Sequence, residues 1–153
     1  RYALETGING HNLELELTET IMVDNFEIAK EKLKELRKNG IQISLDDFGT
    51  GYSSFDRLIE LNVDTLKIDK YFIDNITGTD EDSLIIRDMI SIGHRLGLKT
   101  VAEWVEYQAQ KDYLLEHKCD KIQGYLFSKP VSEEETIFLL KKYNVNSNYN
   151  EMN

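Results

Sequence analysis

The sequence predicts an α/β protein, present as an incomplete (β/α) TIM-like barrel of about five strand–helix units. Short β-rich segments alternate with longer segments of helical periodicity, which is typical of parallel strands joined by right-handed crossovers. The strands carry polar residues at every second position, whereas strands covered on both faces of an open sheet are apolar throughout. The polar positions collect toward the carboxyl ends of the strands, where (β/α) barrels place their active sites.

Five segments are predicted as strands. They are Leu13–Leu17, Ile41–Leu45, Thr65–Asp69, Lys99–Glu103 and Lys121–Gly124. Their polar positions, in chain order, are Glu14, Glu16, Gln42, Ser44, Asp46, Thr65, Lys67, Asp69, Glu103 and Gln123. Because side chains alternate between the two faces of a strand, these residues share one face and the apolar residues share the other. Helices can cover only the apolar face, so the polar face is expected to line the interior of a barrel.

Helical segments separate and follow the strands. The predicted helices begin after Asp24, at Ser53 or Ser54, at about Asp80, before Tyr113, and at Ser132. Capping boxes are expected at Asp24 with Glu27 and at Ser132 with Glu135, and Asn39-Gly40 is expected to end the first helix. Residues 1–143 are therefore predicted to form the barrel segment, and residues 144–153 a disordered polar tail.

Composition limits the classes of function. The 153 residues carry 18 Lys and Arg against 28 Asp and Glu, a net charge of −10, which argues against binding of duplex nucleic acid or anionic lipid. No apolar run is long enough to span a bilayer, so no membrane contact is expected from this segment, although upstream domains of a parent protein are free to supply an anchor. The single cysteine, Cys119, favours a reducing compartment, and the expected location is cytoplasmic.

The predicted inner face concentrates negative charge. It holds one lysine and five acidic residues, a net charge of 1 − 5 = −4: Lys67, Glu14, Glu16, Asp46, Asp69 and Glu103. Oxygen-ligated divalent cations such as Mg²⁺, Mn²⁺ or Ca²⁺ would neutralise such a set. The adjacent Asp46-Asp47 could bridge two ions, an arrangement used for in-line attack of water on phosphodiesters. Two other interpretations stay open, a solvated face of an antiparallel sheet and a turn at Asp46-Asp47.

Five motifs occur in a recognisable order. They are Glu16-Leu17-Thr18-Glu19, Asp46-Asp47-Phe48-Gly49-Thr50-Gly51-Tyr52-Ser53-Ser54, Leu66-Lys67-Ile68-Asp69, Ala102-Glu103-Trp104-Val105-Glu106 and Gln123-Gly124-Tyr125-Leu126-Phe127-Ser128-Lys129-Pro130. In this order and spacing they resemble the C-terminal two-thirds of an EAL domain, the bacterial phosphodiesterase that opens cyclic di-GMP to linear pGpG. The resemblance covers nearly the whole chain and implies cyclic di-GMP as the partner.

The resemblance also implies a two-metal site that uses Mg²⁺ or Mn²⁺. Glu16 and Asp46 would ligate the first metal, and Asp46 and Asp47 would hold the second. Glu103 would be either a ligand of the second metal or the general base that activates the attacking water. The catalytic residues implied in this way are Glu103 and Lys67.

Supporting roles follow from the same resemblance. Lys67 would orient the water or neutralise charge on the phosphate, and Asp69 would support Lys67. Glu19 would brace the loop from Phe48 to Ser54. Glu106 and Gln123 would lie at the edge of the site.

The sequence departs from the family pattern in two respects. The E-A-L tripeptide is absent, as is the Asn ligand of the following strand, and both would lie upstream of Arg1. The isolated chain is therefore expected to be a poor enzyme, and the alternative is a non-catalytic cyclic di-GMP receptor. Trp104 replaces the Gly of the usual A-E-G-V-E motif, where its side chain would either crowd the substrate mouth or pack beside it. A homo-oligomer is expected through barrel edges or helices.

Overall fold

A computed structural model describes residues 7–18, 26–49, 55–76 and 81–150 of the chain. A 3₁₀ turn at Gly10–Asn12 precedes the regular elements. In chain order these are β1 (Glu14–Thr18), α1 (Phe26–Lys38), β2 (Gln42–Phe48), α2 (Phe55–Leu61), β3 (Thr65–Ile68), α3 (Lys70–Ile73), α4 (Glu81–Arg95), β4 (Lys99–Ala102), α5 (Gln108–Glu116), β5 (Lys121–Ile122) and α6 (Glu133–Asn150). The five predicted strands and the α/β class are confirmed.

The described strands form one parallel sheet in the order β1-β2-β3-β4-β5. Each strand pairs with the next one in sequence, which is the winding of a (β/α) barrel; a doubly wound sheet reverses direction at a switch point. Residues of the first and last strands, Glu14 and Glu16 with Lys121 and Ile122, line the same cavity of about 400 Å³. The sheet therefore curves around a concave polar face, as in the wall of a barrel.

The apolar positions of the strands form the core beneath the helices. Ile43 and Leu45 of β2 and Leu66 and Ile68 of β3 are completely buried, and the helices contribute further buried residues such as Ile86. Burial of each such side chain contributes about 1.5–3 kcal/mol to folding. The apolar residues at alternate strand positions therefore form the face that the helices cover, and the polar residues between them form the opposite face, which carries the site.

Two predicted helix ends are confirmed. Gly40 has φ +81° and follows α1, and its N–H bonds to the carbonyl of Arg37 at 2.9 Å, as expected for a left-handed stop. At the start of α6 the N–H of Glu135 donates to Ser132 Oγ at 3.3 Å, and the N–H of Ser132 donates to Glu135 Oε2 at 3.2 Å. The predicted cap at Asp24 and the predicted helix start at Ser53 or Ser54 lie outside the described residues.

Helix α6 continues to Asn150, through most of the segment that the sequence predicted to be a disordered tail. The segment from Val145 to Asn150 contains neither Gly nor Pro, so no residue in it enforces an end. Residues 151–153 lie outside the described part. No helix among the described residues combines the length and the apolar character that crossing a bilayer requires.

Candidate active site

Four of the predicted site residues meet at the ammonium group of Lys67. This side chain projects from β3 and is almost fully buried. Its Nζ lies 2.7 Å from Glu16 Oε1, 3.0 Å from Glu103 Oε1 and 3.3 Å from Asp46 Oδ1. The three carboxylates come from β1, β2 and the residue that follows β4, so one cation joins four segments of the sheet.

Strand register explains this convergence. Glu16 of β1 lies opposite Ser44, and Asp46 follows Ser44 by two residues on the same face of β2. Lys67 lies opposite Val101 of β4, and Glu103 follows Val101 by two residues. The carboxylates are therefore presented near the carboxyl ends of their strands, and the long Lys67 side chain reaches all three.

A β-bulge lies at the adjacent aspartates. Leu45 pairs with Leu66 and Phe48 pairs with Ile68, so β2 uses three steps where β3 uses two. Asp47 has φ +57°, a left-handed conformation that Asp adopts more readily than most residues, and its N–H donates to Asp46 Oδ1 at 3.1 Å. Bulges of this kind re-aim side chains beside active sites.

Burial and pairing alter the acid–base behaviour of the site. Burial by itself lowers the pKa of Lys67, but hydrogen bonds to Glu16 and Glu103 outweigh it and raise that pKa above its ordinary value. For Glu103, burial raises the pKa, and this effect, together with Asp46, prevails over the opposing contact with Lys67. Lys67 therefore stays cationic, and Glu103 is more basic than an ordinary glutamate.

Gln123 holds Glu103 from the neighbouring strand. Its Nε2 donates to Glu103 Oε1 at 2.6 Å. The following Gly124 allows two backbones to approach closely, because a Cβ there would lie 2.2 Å from both the N and the O atoms of Val105. The Gln-Gly pair therefore fixes the chain after β5 against the chain that carries Glu103.

A buried glutamine, Gln110 of α5, is a second positioning residue, and the sequence reasoning missed it. Its Oε1 accepts from the N–H groups of Glu106 at 2.8 Å and Tyr107 at 3.0 Å, and its Nε2 donates to the carbonyl of Ile73 at 3.1 Å. It thereby ties the chain after β4 to the end of α3. A Gln three residues into a helix is a capping-box signal that could have identified it.

The remaining predicted residues lie around this cluster. Asp69 Oδ1 accepts from the N–H of Tyr71 at 2.9 Å and caps the short α3, so its predicted support of Lys67 is not a direct contact. Glu106 Oε1 lies 3.9 Å from Lys70 Nζ at the edge of the site.

Two further predictions fall on residues outside the described part. These are the bracing role of Glu19 and the path of residues 50–54 in the loop after Phe48. Both stay predictions.

Comparison with known proteins decides the family. The model of the EAL domain matches residues 1–130 of this chain. The chain belongs to the EAL domain family. The cyclic di-GMP phosphodiesterase NbdA of Pseudomonas aeruginosa is 43% identical to it over 132 residues, which cover 86% of this chain and 17% of NbdA. The chain spans only 15–20% of the length of curated relatives that it matches.

Solved EAL structures confirm the barrel fold. The EAL domain of Mycobacterium smegmatis DcpA superposes with a TM-score of 0.85 at 39% identity, over 92% of this chain and 63% of that chain. Klebsiella pneumoniae BlrP1, solved as a complex with manganese and cyclic di-GMP, superposes with a TM-score of 0.75 at 31% identity, over 83% of this chain and 32% of that chain. The predicted resemblance and the TIM-like fold are thus confirmed.

The chemistry of the EAL donor set fits a divalent cation. The carboxylates of Glu16, Asp46 and Glu103 with the ammonium of Lys67 sum to a charge of −2, and carboxylate oxygens suit Mg²⁺, Mn²⁺ and Ca²⁺. Among the described residues, however, no three Asp, Glu, His or Cys side chains are grouped closely enough to hold an ion. Lys67 supplies the positive charge at the point of convergence, so the carboxylates would have to turn from its ammonium toward a metal.

Trp104 occupies the Gly position of the EAL motif in a conformation that suits glycine. Its φ is +59°, which costs a bulky residue about 1–2 kcal/mol. The indole is 46% exposed and packs against Tyr125, with ring centroids 6.3 Å apart and an angle of 62° between the planes. The two placements predicted for this side chain, crowding the substrate mouth or packing beside it, both stay predictions.

Proposed function

We propose that this chain forms part of a metal-dependent phosphodiesterase domain that hydrolyses cyclic di-GMP to pGpG with Mg²⁺ or Mn²⁺. The observation that carries the proposal is the convergence of Glu16, Asp46 and Glu103 on Lys67 from separate strands. Membership of the EAL family and the named phosphodiesterase NbdA among its relatives support the substrate.

The residues of the cluster divide the chemistry between them. Glu103, with its raised pKa, takes a proton from the attacking water, since a base whose pKa is closer to the working pH transfers protons more efficiently. Lys67 stabilises the negative charge that develops on the phosphate. Glu16, Asp46 and Asp47 would hold divalent ions, which when bound supply Lewis-acid polarisation of the phosphodiester. Ligation of the second metal by Glu103 is the alternative to its role as the base.

Other residues are proposed to keep this arrangement in place. Gln123 orients Glu103 through its hydrogen bond, and Asp69 fixes the chain that leaves β3. Glu106 lies with Lys70 at the edge of the site, and Glu19 is proposed to brace the loop after Phe48. Each of these roles acts on the geometry of the cluster and involves no contact with the reacting atoms.

A receptor that binds cyclic di-GMP without hydrolysis is the second candidate. One observation favours it: the described residues hold no ready grouping of three metal-ligating side chains. Both candidates predict nucleotide binding. Only the first predicts turnover once the E-A-L glutamate and the Asn ligand are supplied.

The test compares two polypeptides, the 153-residue chain and a fusion that supplies the E-A-L segment of an active relative upstream of Arg1. With Mg²⁺ or Mn²⁺, the fusion should convert cyclic di-GMP to pGpG by liquid chromatography, and the chain alone should show negligible conversion. Glu103→Gln should lower turnover of the fusion about 10²–10⁴-fold, as expected for loss of a general base. Glu116→Gln, an exposed change on α5, is the matched control and should have no effect.

Three outcomes would contradict parts of the proposal. Retained turnover in Glu103→Gln removes Glu103 from its role. Tight binding of cyclic di-GMP by the fusion without hydrolysis favours the receptor. Robust hydrolysis by the 153-residue chain refutes the need for the absent ligands.

We further propose a cytoplasmic location and self-association through helices or sheet edges. The free, buried thiol of Cys119 is consistent with a reducing compartment. Helix α6 exposes Ile137, Phe138 and Leu140, and contiguous exposed apolar groups favour association. Light scattering should detect an oligomer, and a stable monomer at high concentration would contradict the proposed association.

A further inference from the structure

Trp104 lies directly beside the proposed catalytic cluster. It follows Glu103 in the chain, and the next residue, Val105, donates its N–H to the carbonyl of Gln123 at 3.1 Å. Tyr125 follows Gln123 by two residues. The two aromatic residues therefore extend from the same pair of backbone segments that hold Glu103 and its hydrogen-bond partner.

The chain around Trp104 is fixed, although the indole itself is exposed. Its neighbours Glu103 and Val105 are both buried, whereas about half of the indole surface is open to solvent. A left-handed backbone at a bulky residue persists only where the surroundings enforce it, and such positions cluster at functional sites. The indole is thus held at a defined place on the rim of the cluster without being part of the core.

The aromatic pair, Trp104 with Tyr125, offers chemistry that suits a nucleotide base. The rings meet at a steep angle, and both remain about half exposed. The ammonium of Lys129 lies 5.7 Å from the ring centroid of Tyr125 and adds a positive charge. The exposed indole provides a stacking surface for a purine, and the ammonium over the neighbouring Tyr125 ring provides a contact for a phosphate.

We infer that the indole of Trp104 stacks on a guanine base of the cyclic dinucleotide whose phosphodiester lies at the Glu103–Lys67 cluster. Tyr125 braces the indole in its edge-to-face contact. This inference rests on the proposed function, because it places the substrate at that cluster. It assigns base recognition to a side chain that stands where the EAL motif has glycine, so it is specific to this chain.

The single tryptophan makes the inference directly measurable, since all indole fluorescence of the chain comes from Trp104. The 153-residue chain is titrated with cyclic di-GMP in the presence of Ca²⁺, and equilibrium dialysis of the labelled nucleotide measures binding independently. Stacking should quench the emission with the same midpoint that dialysis gives. Ribose 5-phosphate, which has no base, should leave the emission unchanged.

Variants separate stacking from a structural role. Trp104→Gly removes the ring while suiting the backbone conformation, so it should fold and weaken binding about tenfold. Trp104→Phe keeps a ring and should retain most of the affinity. Tyr107→Leu, which changes another exposed aromatic residue on the same loop, is the matched control and should bind as the wild type does.

The outcomes distinguish this inference from the proposed function. Dialysis that detects binding without a change in emission, or equal affinity in Trp104→Gly, overturns the stacking role and leaves the proposed function standing. No binding by dialysis overturns the stacking role in this chain, whereas the proposed function is tested separately by turnover of the fusion.

Discussion

Removal of the Lys67 ammonium is the sharpest test of the cluster. In Lys67→Met the apolar stem is retained, but Glu16, Asp46 and Glu103 lose their shared cation. The side chain of Glu103 is only 10% exposed, and loss of one partner of a buried ion pair costs about 3–5 kcal/mol. The pairs with Asp46 and Glu16 are more exposed and add about 0.2–1 kcal/mol each. Because the cavity admits solvent, we take the lower end of the range for the Glu103 pair, about 3 kcal/mol. Together with the two weaker pairs, we expect the free energy of unfolding to fall by about 4 kcal/mol.

Urea denaturation followed by far-UV circular dichroism measures this change. Lys70→Met is the matched control, because Lys70 is exposed and pairs with Asp74 on the surface, so its midpoint should barely move. Added Mg²⁺ or Ca²⁺ should raise the midpoint more in Lys67→Met than in the wild type, since the freed carboxylates then lack a cation. If Lys67→Met and Lys70→Met unfold at the same urea concentration, the cluster does not contribute in the way described.

Three further predictions concern the supports of the site. Gln110→Leu leaves three backbone groups without their partner and should lower the free energy of unfolding by about 3 kcal/mol in urea; an unchanged midpoint would contradict its role. Gly124→Ala places a Cβ against Val105, so the completed fusion should lose turnover while its circular dichroism spectrum stays native; full activity would refute the close approach. Partial burial acts to raise the pKa of Asp120, but hydrogen bonds from Thr100 prevail and lower it. The resulting stabilisation is present above about pH 4, the ordinary pKa of Asp, and is lost as the pH falls through the lowered value. The urea midpoint of wild type should therefore approach that of Asp120→Asn as the pH is lowered into the acid range. A difference between the two midpoints that stays the same at every pH would contradict the proposed link between Asp120 ionisation and stability.

Most of the fold was predictable because strand periodicity is a local property. Alternation of apolar and polar residues located all five strands to within a few residues of the observed ends. The largest difference is in β2, which was predicted to end at Leu45 and continues to Phe48. The bulge at Asp46-Asp47 allows β2 to pair with β3 again at Phe48, beyond the two polar residues. A bulge depends on how a strand is aligned with its neighbour, and the sequence of one strand does not contain that information.

The candidate site was predictable in its composition but not in its connections. The acidic residues and Lys67 were expected on one face, and the structure places Glu16, Asp46 and Glu103 around that lysine. The position of its ammonium as the shared partner depends on distances between strands, which spacing along the chain does not give. The left-handed conformation of Trp104 was not predicted, although the Gly that the family motif usually has at this position adopts such a conformation at no steric cost.

The pairing of each strand with its immediate successor has a consequence for synthesis on the ribosome. Contacts between near neighbours in sequence form quickly, and a growing chain emerges from its N-terminus. The wall can therefore extend one strand at a time, with Glu16 emerging first and Asp46, Lys67 and Glu103 after it. The set of ion pairs around Lys67 is complete only when Glu103, after β4, has left the tunnel, so nascent chains stalled before that point should be more susceptible to proteases than those stalled after it.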